Sequence, residues 1–455
     1  MKSLRTEAVA GITTFFTMAY IVVVNPAILS TEGTGMPSGG VLTATVLLSA
    51  TMTLAMGLYA RLPFAVAPGM GLNAFFTYTI ILHHKVPWQT ALGIVFWSGV
   101  LFVIVSVTPI RAALARAIPK TLRNAAAAGI GIFLTFIGLK NAGLVAPDPV
   151  TYVRVGHFTP ATLLCLAGLI GIAYLLQRKT PLAFLGGMAG VTLLAWLSGL
   201  IAAPPSFFSP PDFRSVFLKL DVFGALRLSL LPTMVTILFT DLFDSMSTFI
   251  GVSHAAGMLD AEGQPLRLKE GLLVDAFATL CAGLAGTSAG TAYIESAAGI
   301  EMGGRTGWTA VFTALCFLPC FFLAPLVGMV PAAATVPVLI LVGALMFRSV
   351  AQLDLARFED GIPAFLTAVL IPLTFSITQG ILWGFITHVI LYVIAGRRRE
   401  MLGARAGRRN LVRHARCRQT PGKERRRHRR TALVRSTHDE DAIRPIDTTQ
   451  CTSRL

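Results

Sequence analysis

Residues 283–296 read GLAGTSAGTAYIES, and residues 64–76 read FAVAPGMGLNAFF. Each is a Gly-, Pro-, Ser- or Thr-rich piece opening a short apolar stretch, in a chain otherwise made of long apolar runs. Glycine and proline are poor helix formers, so both pieces leave backbone N–H and C=O groups unpaired at mid-membrane depth. Such backbone is tolerated there only where protein buries it or where it lines a cavity. Paired interrupted segments in corresponding places of two sequence halves point to the binding site of a secondary transporter.

The composition puts both pieces in a membrane. The chain has 455 residues, 54% hydrophobic and 13% charged, with a mean hydropathy of +0.69. A soluble domain carries about 25% charged residues, so a soluble enzyme, a secreted scaffold and a disordered chain are excluded. Apolar stretches fall at about 7–29, 40–59, 68–82, 89–108, 121–139, 160–177, 182–201, 229–252, 269–285, 289–302, 306–328, 333–349, 360–376 and 380–396. These are roughly fourteen spans, of which the third and tenth are shorter than the ~20 residues that cross the hydrocarbon. The first apolar run lacks a small-residue cleavage site, so it is expected to be the first span and not a signal peptide.

The halves are related. Laying FFTMAYI of span 1 on LFTDLFD of span 8 puts Phe16 on Phe239 at an offset of 223, which carries Asn73 to within one position of Glu295. Seven spans per half make the second copy inverted. Residues 1–200 and 229–396 are expected to be the repeats, joined by an outer loop at 201–228 and followed by a tail at 397–455.

The net charge of +16 belongs mostly to that tail, which holds 18 of the 38 Lys and Arg but 6 of the 22 Asp and Glu. With the N-terminus inside, inner segments of the body collect 14 basic residues against 6 outside, the asymmetry expected of cytoplasmic loops. Both termini are therefore expected to be cytoplasmic. The six cysteines (165, 281, 316, 320, 417 and 451) have no paired C-x-x-C spacing, so neither a disulfide framework nor a zinc site is expected.

Ionisable groups inside a span cost about 2.5–3.5 kcal/mol each on insertion scales and are functional candidates by default. Asp241 and Asp244 lie mid-span, about 60° apart on a helix, and Ser245 and Thr248 extend the same seam. Their bland reading is hydrogen bonding between helices. Glu295 follows the Gly-Thr-Ser-Ala-Gly break, where a helix starting near Thr291 would aim backbone donors into a cavity, and its carboxylate is suited to accept a ligand's N–H groups. In the first half, Pro68, Gly69 and Gly71 make the break. Asn73 then offers donor and acceptor, while Phe75 and Phe76 offer faces for a planar ligand or ordinary core packing.

Glu7, Asp275 and Glu301 read as helix–helix or end contacts, and Arg305 as a structural anchor at an inner turn. His83 and His84 lack further ligands, so no metal or other cofactor is expected. Walker A, haem-attachment and metalloprotease patterns are absent, and no nucleophile–base pair supports an enzyme. The intramembrane set is acidic and lacks buried Arg or Lys. That argues against an anionic substrate and fits a neutral, hydrogen-bonding solute moved with a proton or cation.

GITTFFTMAYIVVVNPAILS, APGMGLNAFF, IGLKNAGLV, FTDLFDSMSTFIGVS, GTSAGTAYIESAAGIEMGGRTGWTAV and LVGALMFRSV, in order between about residues 5 and 396, resemble the hypoxanthine/guanine/adenine permeases. These form the purine branch of the nucleobase–cation symporter-2, or nucleobase–ascorbate transporter, family. The resemblance implies an all-α polytopic fold of fourteen segments in two inverted repeats, with short antiparallel strands in segments 3 and 10. It divides the fold into a core domain (spans 1–4 and 8–11) and a gate domain (5–7 and 12–14), and implies elevator-type alternating access. It further implies that Glu295 holds the base, that Asp241 contacts base or proton, that Asn73 recognises purine and that Asp244 is needed for transport. Backbone around Gly71 and Ala292 would lend donors, and Phe75 or Phe15 an apolar wall.

The expected function is import of a purine nucleobase across the cell membrane by proton symport, with Asp241 or Asp244 carrying the proton and sodium as the alternative ion. Uracil, xanthine or urate, or an anion on the same fold, and a base sensor that does not transport, remain the competing readings. Homodimers are common among relatives of the fold; a nucleic-acid partner would rest on charge alone. The Arg-rich stretch after Gly396 departs from the family pattern. It reads either as a polybasic tail for anionic lipid headgroups or as translation in a shifted frame, and is expected to be disordered in both cases.

Overall fold

The structure, a computed structural model, describes residues 4–108, 119–204, 206–260, 265–353 and 355–397. The basic tail lies outside the described residues beyond Arg397. Among the described residues, eight helices are long and apolar enough to cross a membrane. They are span 1 (Leu4–Leu29), span 2 (Ser38–Ala60), span 4 (Trp88–Val107), span 5 (Lys120–Asn141), span 6 (Pro160–Gln177), span 8 (Leu228–His254), span 12 (Ala332–Gln352) and span 14 (Ile377–Ile394). Span 7 (Ala183–Leu197) and span 11 (Gly307–Phe322) are shorter, as is span 13 (Phe358–Thr374). Span 9 (Leu268–Ala285) has the length but carries Lys269, Glu270 and Asp275.

Spans 3 and 10 are the broken ones. Span 3 is a strand β1 (Val66–Pro68) followed by a helix Met70–Ala74 that continues with π geometry over Phe75–His83. A second strand (Gly290–Ala292), the last of four in the chain and hence β4, opens span 10, and a short helix Ser296–Glu301 follows. The two strands pair antiparallel, Val66 with Ala292, Ala67 with Thr291 and Pro68 with Gly290. Inverted repeats require that direction, and the repeat offset of 223 carries Val66 to position 289, one residue before β4. The helix expected near Thr291 starts instead at Ser296, because Gly290–Ala292 is committed to the strand pair.

Side chains complete the pairing that so short a ladder cannot. Thr53 donates to Val66 O at 3.0 Å and accepts from Val66 N at 2.9 Å. Ser296 Oγ accepts from Ala65 N, and Tyr293 N–H donates to Ala65 O. In hydrocarbon an unpaired backbone group costs several kcal/mol, so these polar residues are what permits strands at this depth.

Packing sorts the spans into two bodies. Span 1 packs on span 11, span 9 on spans 4 and 2, and span 8 on span 4 and β4. Separately, span 12 packs on spans 5 and 6, and span 13 on spans 5 and 14. Spans 1–4 and 8–11 thus form the core and spans 5–7 and 12–14 the gate, with thinner contact between them. Inside the gate, spans 5 and 12 touch through glycine: a Cβ on Gly131 would stand 2.5 Å from Gly343 O, and one on Gly343 2.5 Å from Gly131 O. Small residues are what let membrane helices approach this closely.

Two features depart from the expected layout. Span 1 is tightened within its length: regular helix over Leu4–Met18 and Ile21–Leu29 is interrupted at Ala19–Tyr20, and Val22 and Val23, in the first turn of the second stretch, donate to carbonyls three residues back, Ala19 O and Tyr20 O. In addition, a hairpin of β2 (Val145–Asp148) and β3 (Tyr152–Val155) follows span 5. Its turn is closed by Asp148, whose Oδ1 accepts from the N–H groups of Thr151 and Val150 at 2.9 Å. Those bonds hold this half-buried carboxyl below the usual range.

Candidate functional site

The four intramembrane carboxyl groups Asp241, Asp244, Asp275 and Glu295 converge where spans 8 and 9 meet β4. Asp241 and Asp275 are fully buried, while Asp244 and Glu295 are partly exposed. Burial of carboxylates without partners is prohibitive, and each buried one is tied into β4 or its surroundings.

Asp275, on span 9, accepts from Ala292 N at 2.8 Å through Oδ1 and from the Ser245 hydroxyl through Oδ2. Ser245 in turn is 2.7 Å from Thr291 Oγ1. The contact to span 8 is the helix–helix role read from sequence, and the bond to β4 is an additional one. It also engages the Ala292 amide, which the sequence reading offered to a ligand.

Asp241 bonds the Thr279 hydroxyl through Oδ2, and Thr279 Oγ1 is also 3.0 Å from Gly290 O. Asp241 Oδ1 is buried without a hydrogen-bond partner. Tyr293 stands in the chain between β4 and Glu295. Tyr293 is itself fixed by its hydroxyl, which donates to Pro68 O at 2.5 Å.

Glu295 directly precedes the helix Ser296–Glu301, whose dipole favours a negative charge at that end. Its Oε1 accepts from Tyr20 OH at 2.7 Å. Sequence reasoning missed Tyr20; the available signal was the lone phenol in the middle of span 1. Asn25, also on span 1, donates from Nδ2 to Thr45 Oγ1 at 2.7 Å and to Thr287 Oγ1 at 2.9 Å, and ties that span to the approach to β4.

The first-half residues behave differently. Asn73 is fully buried, with Oδ1 accepting from the Ser288 hydroxyl and Nδ2 facing Met70 Sδ at 3.9 Å. Phe75 and Phe76 lie in the main apolar core, and Phe15 packs on it, edge-on to Phe317 at 5.1 Å. Gly71 stands at the core–gate contact, where a Cβ would come within 2.7 Å of Ile130 Cγ2.

Glu7 is a structural anchor: it accepts from Arg305 N and Thr306 N, and from the Thr309 hydroxyl, at the start of span 11. One cation departs from the sequence reading of no buried Arg. Arg123, on span 5, has a buried Nε without a hydrogen-bond partner, and its Cζ lies 5.4 Å from the Phe243 ring centroid, beside Asp244. Among the described residues no three His, Cys, Asp or Glu side chains are grouped to hold a metal ion.

Carboxylate and hydroxyl oxygens gathered in this way can accept the N–H groups of a neutral molecule. The chain matches the Permease family over residues 5–383. It is 40% identical over 398 residues to the adenine permease AdeP of Escherichia coli, covering 87% of this chain and 89% of that one. It is also 40% identical over 408 residues to the guanine/hypoxanthine permease PbuO of Bacillus subtilis, covering 88% and 94%. Among solved structures, the transmembrane domain of the cyanobacterial bicarbonate transporter BicA superposes with a TM-score of 0.66 at 16% identity, covering 84% of this chain and 98% of that one. That likeness speaks for the fold alone. The broken spans, the core and gate bodies and the sequence match together make this chain a member of the permease family, in the nucleobase transporter branch that contains the adenine and guanine/hypoxanthine permeases.

Proposed function

We propose that this protein imports purine nucleobases by proton symport, with the core moving against the gate in an elevator-type cycle. The names of the relatives at 40% identity support the substrate class. In this reading Glu295, helped by Asp244, receives the ring N–H groups of the base. Asn73 holds the β4 approach through Ser288, Phe75 fills the wall beneath, and Ala292 takes its position from Asp275. Gly71 keeps the core close to the gate while leaving it free to slide.

The observation that carries the proton assignment is the arrangement at Thr279. Its hydroxyl has one proton, yet it lies in hydrogen-bond contact with two acceptors, Asp241 Oδ2 and Gly290 O. A protonated Asp241 resolves the conflict by donating to Thr279, whose own proton then goes to Gly290. Ionised Asp241 competes with Gly290 for that proton, so protonation of the acid and integrity of β4 are linked. Loading Asp241 with a proton also removes a charge from the moving body, which lowers the electrostatic cost of carrying it through the low-dielectric barrier.

The test is uptake of radiolabelled hypoxanthine, adenine and guanine in purine-transport-deficient cells, with uracil as competitor and a protonophore as control. Saturable purine uptake that collapses with the protonophore and ignores uracil supports the reading. Uracil or anion uptake, or purine binding without uptake by a properly inserted protein, overturns it.

A further inference from the structure

We infer that Tyr20 is a positioning residue for Glu295, holding its carboxylate ready for the base and tying it to the gate. The inference rests on the reading of Glu295 as the group that receives the substrate. Tyr20 is 1% exposed, and its hydroxyl donates to Glu295 Oε1 at 2.7 Å. Its ring packs on Phe184 of span 7, with centroids 4.8 Å apart and planes at 52°. One residue thus touches the candidate ligand group with its polar end and the opposing body with its apolar face.

Local structure explains how a residue of span 1 gets there. Regular helix stops at Met18 and resumes at Ile21, so Tyr20 sits at this interruption, in helical dihedrals, with its hydroxyl on Glu295. Thr17 Oγ1, on the preceding turn, is 3.4 Å from the Glu295 carbonyl oxygen, which registers the break against the start of the span 10 helix. Span 1 is in this respect a third interrupted segment, and its interruption serves a side chain where those of spans 3 and 10 serve backbone pairing.

The physical role follows from what Glu295 otherwise lacks. A glutamate has three side-chain torsions, and an unpinned carboxylate must lose that freedom when a ligand binds. A phenol donor to a carboxylate is a charge-assisted bond; it fixes Oε1 and leaves Oε2 to accept from the substrate. The ring contact with Phe184 holds the phenol in turn, so the freedom is removed before the base arrives and the base does not supply that cost.

The test measures equilibrium binding and uptake of hypoxanthine, adenine and guanine by the full-length protein in lipid nanodiscs and in cells. Tyr20→Phe keeps the ring on Phe184 and removes only the donor. It is expected to weaken purine binding about tenfold and to raise KM to match, while maximal uptake stays within about twofold. Glu295→Asp draws the carboxylate away from Tyr20, and in that background Tyr20→Phe is expected to cost less than about twofold. A structural role would cost the same in both backgrounds. Unchanged binding in Tyr20→Phe, or equal losses in the two backgrounds, overturns the inference. Unaltered binding in Glu295→Gln would instead overturn the reading of Glu295, and the two failures are thereby distinguished.

Discussion

Spans 3 and 10 share one backbone plan, a three-residue strand feeding a helix, and use it for different ends. In span 3 the polar residue after the break, Asn73, is buried and bonded to Ser288 of the other half. In span 10 the carboxyl residue one position before its counterpart, Glu295, stays partly exposed, with one oxygen on Tyr20. The contrast extends to Gly71: the repeat offset of 223 carries it to Ile294, which is 63% exposed, whereas Gly71 itself abuts Ile130 of the gate. The lesson is that a pseudo-symmetric pair can divide its labour. One copy bonds its polar residue into the packing, and the other keeps its carboxyl group partly open.

The division is most directly broken at the two polar residues. Glu295→Gln is expected to lower purine affinity by roughly 10- to 100-fold, the size of a hydrogen bond to a charged group plus what its loss leaves unpaired. Asn73→Ala is expected to act on folding first, lowering stability by about 1–3 kcal/mol through the unpaired Ser288 hydroxyl, with affinity in the folded fraction nearly retained. Binding isotherms together with thermal unfolding in detergent check both. An Asn73→Ala protein that is stable but does not bind would move Asn73 into the ligand set and end the contrast.

Asp241→Asn sharpens the proton assignment. An asparagine amide donates to Thr279 as a protonated acid would, so facilitated exchange of purine is expected to persist while accumulation against a gradient is lost. Counterflow and net uptake, measured in proteoliposomes with and without a pH difference, separate the two. Retained pH-driven accumulation would exclude Asp241 as the carrier of the proton.

Gly71→Ala probes the proposed sliding surface. Overpacking against Ile130 Cγ2 at 2.7 Å costs about 1–3 kcal/mol, which is expected to slow maximal uptake about tenfold while leaving KM within about twofold. Ile130→Val is expected to restore part of the rate. The smallest effect belongs to Arg123→Gln, which removes the cation from the Phe243 face. A contact of about 0.5–1 kcal/mol corresponds to a twofold to fivefold change in uptake rate.

Much of this architecture was legible because membranes impose local rules. Span positions followed from apolar run length, the two breaks from Gly and Pro, and the acidic seam from charges where charge is costly. The site's internal wiring was not legible in the same way. Tyr20 meets Glu295 across 275 residues of sequence, and Asn73 meets Ser288 across 215; no periodicity encodes such meetings. The break in span 1 carries no Gly or Pro at Ala19–Tyr20 to announce it. Asp275 read as a helix contact, and its bond to the Ala292 amide became visible only once β4 was placed beside span 9.

The sequence by itself thus determined that this is a polytopic membrane protein with paired broken spans, an acidic interior and a purine-permease pattern. Those properties depend on residue type and local spacing, which the solvent and the backbone read directly. Only the tertiary structure decided which of the acids bind backbone, which stand partly open, and which neutral residues position them. These assignments depend on distances between segments far apart in the chain, and folding alone brings such segments together.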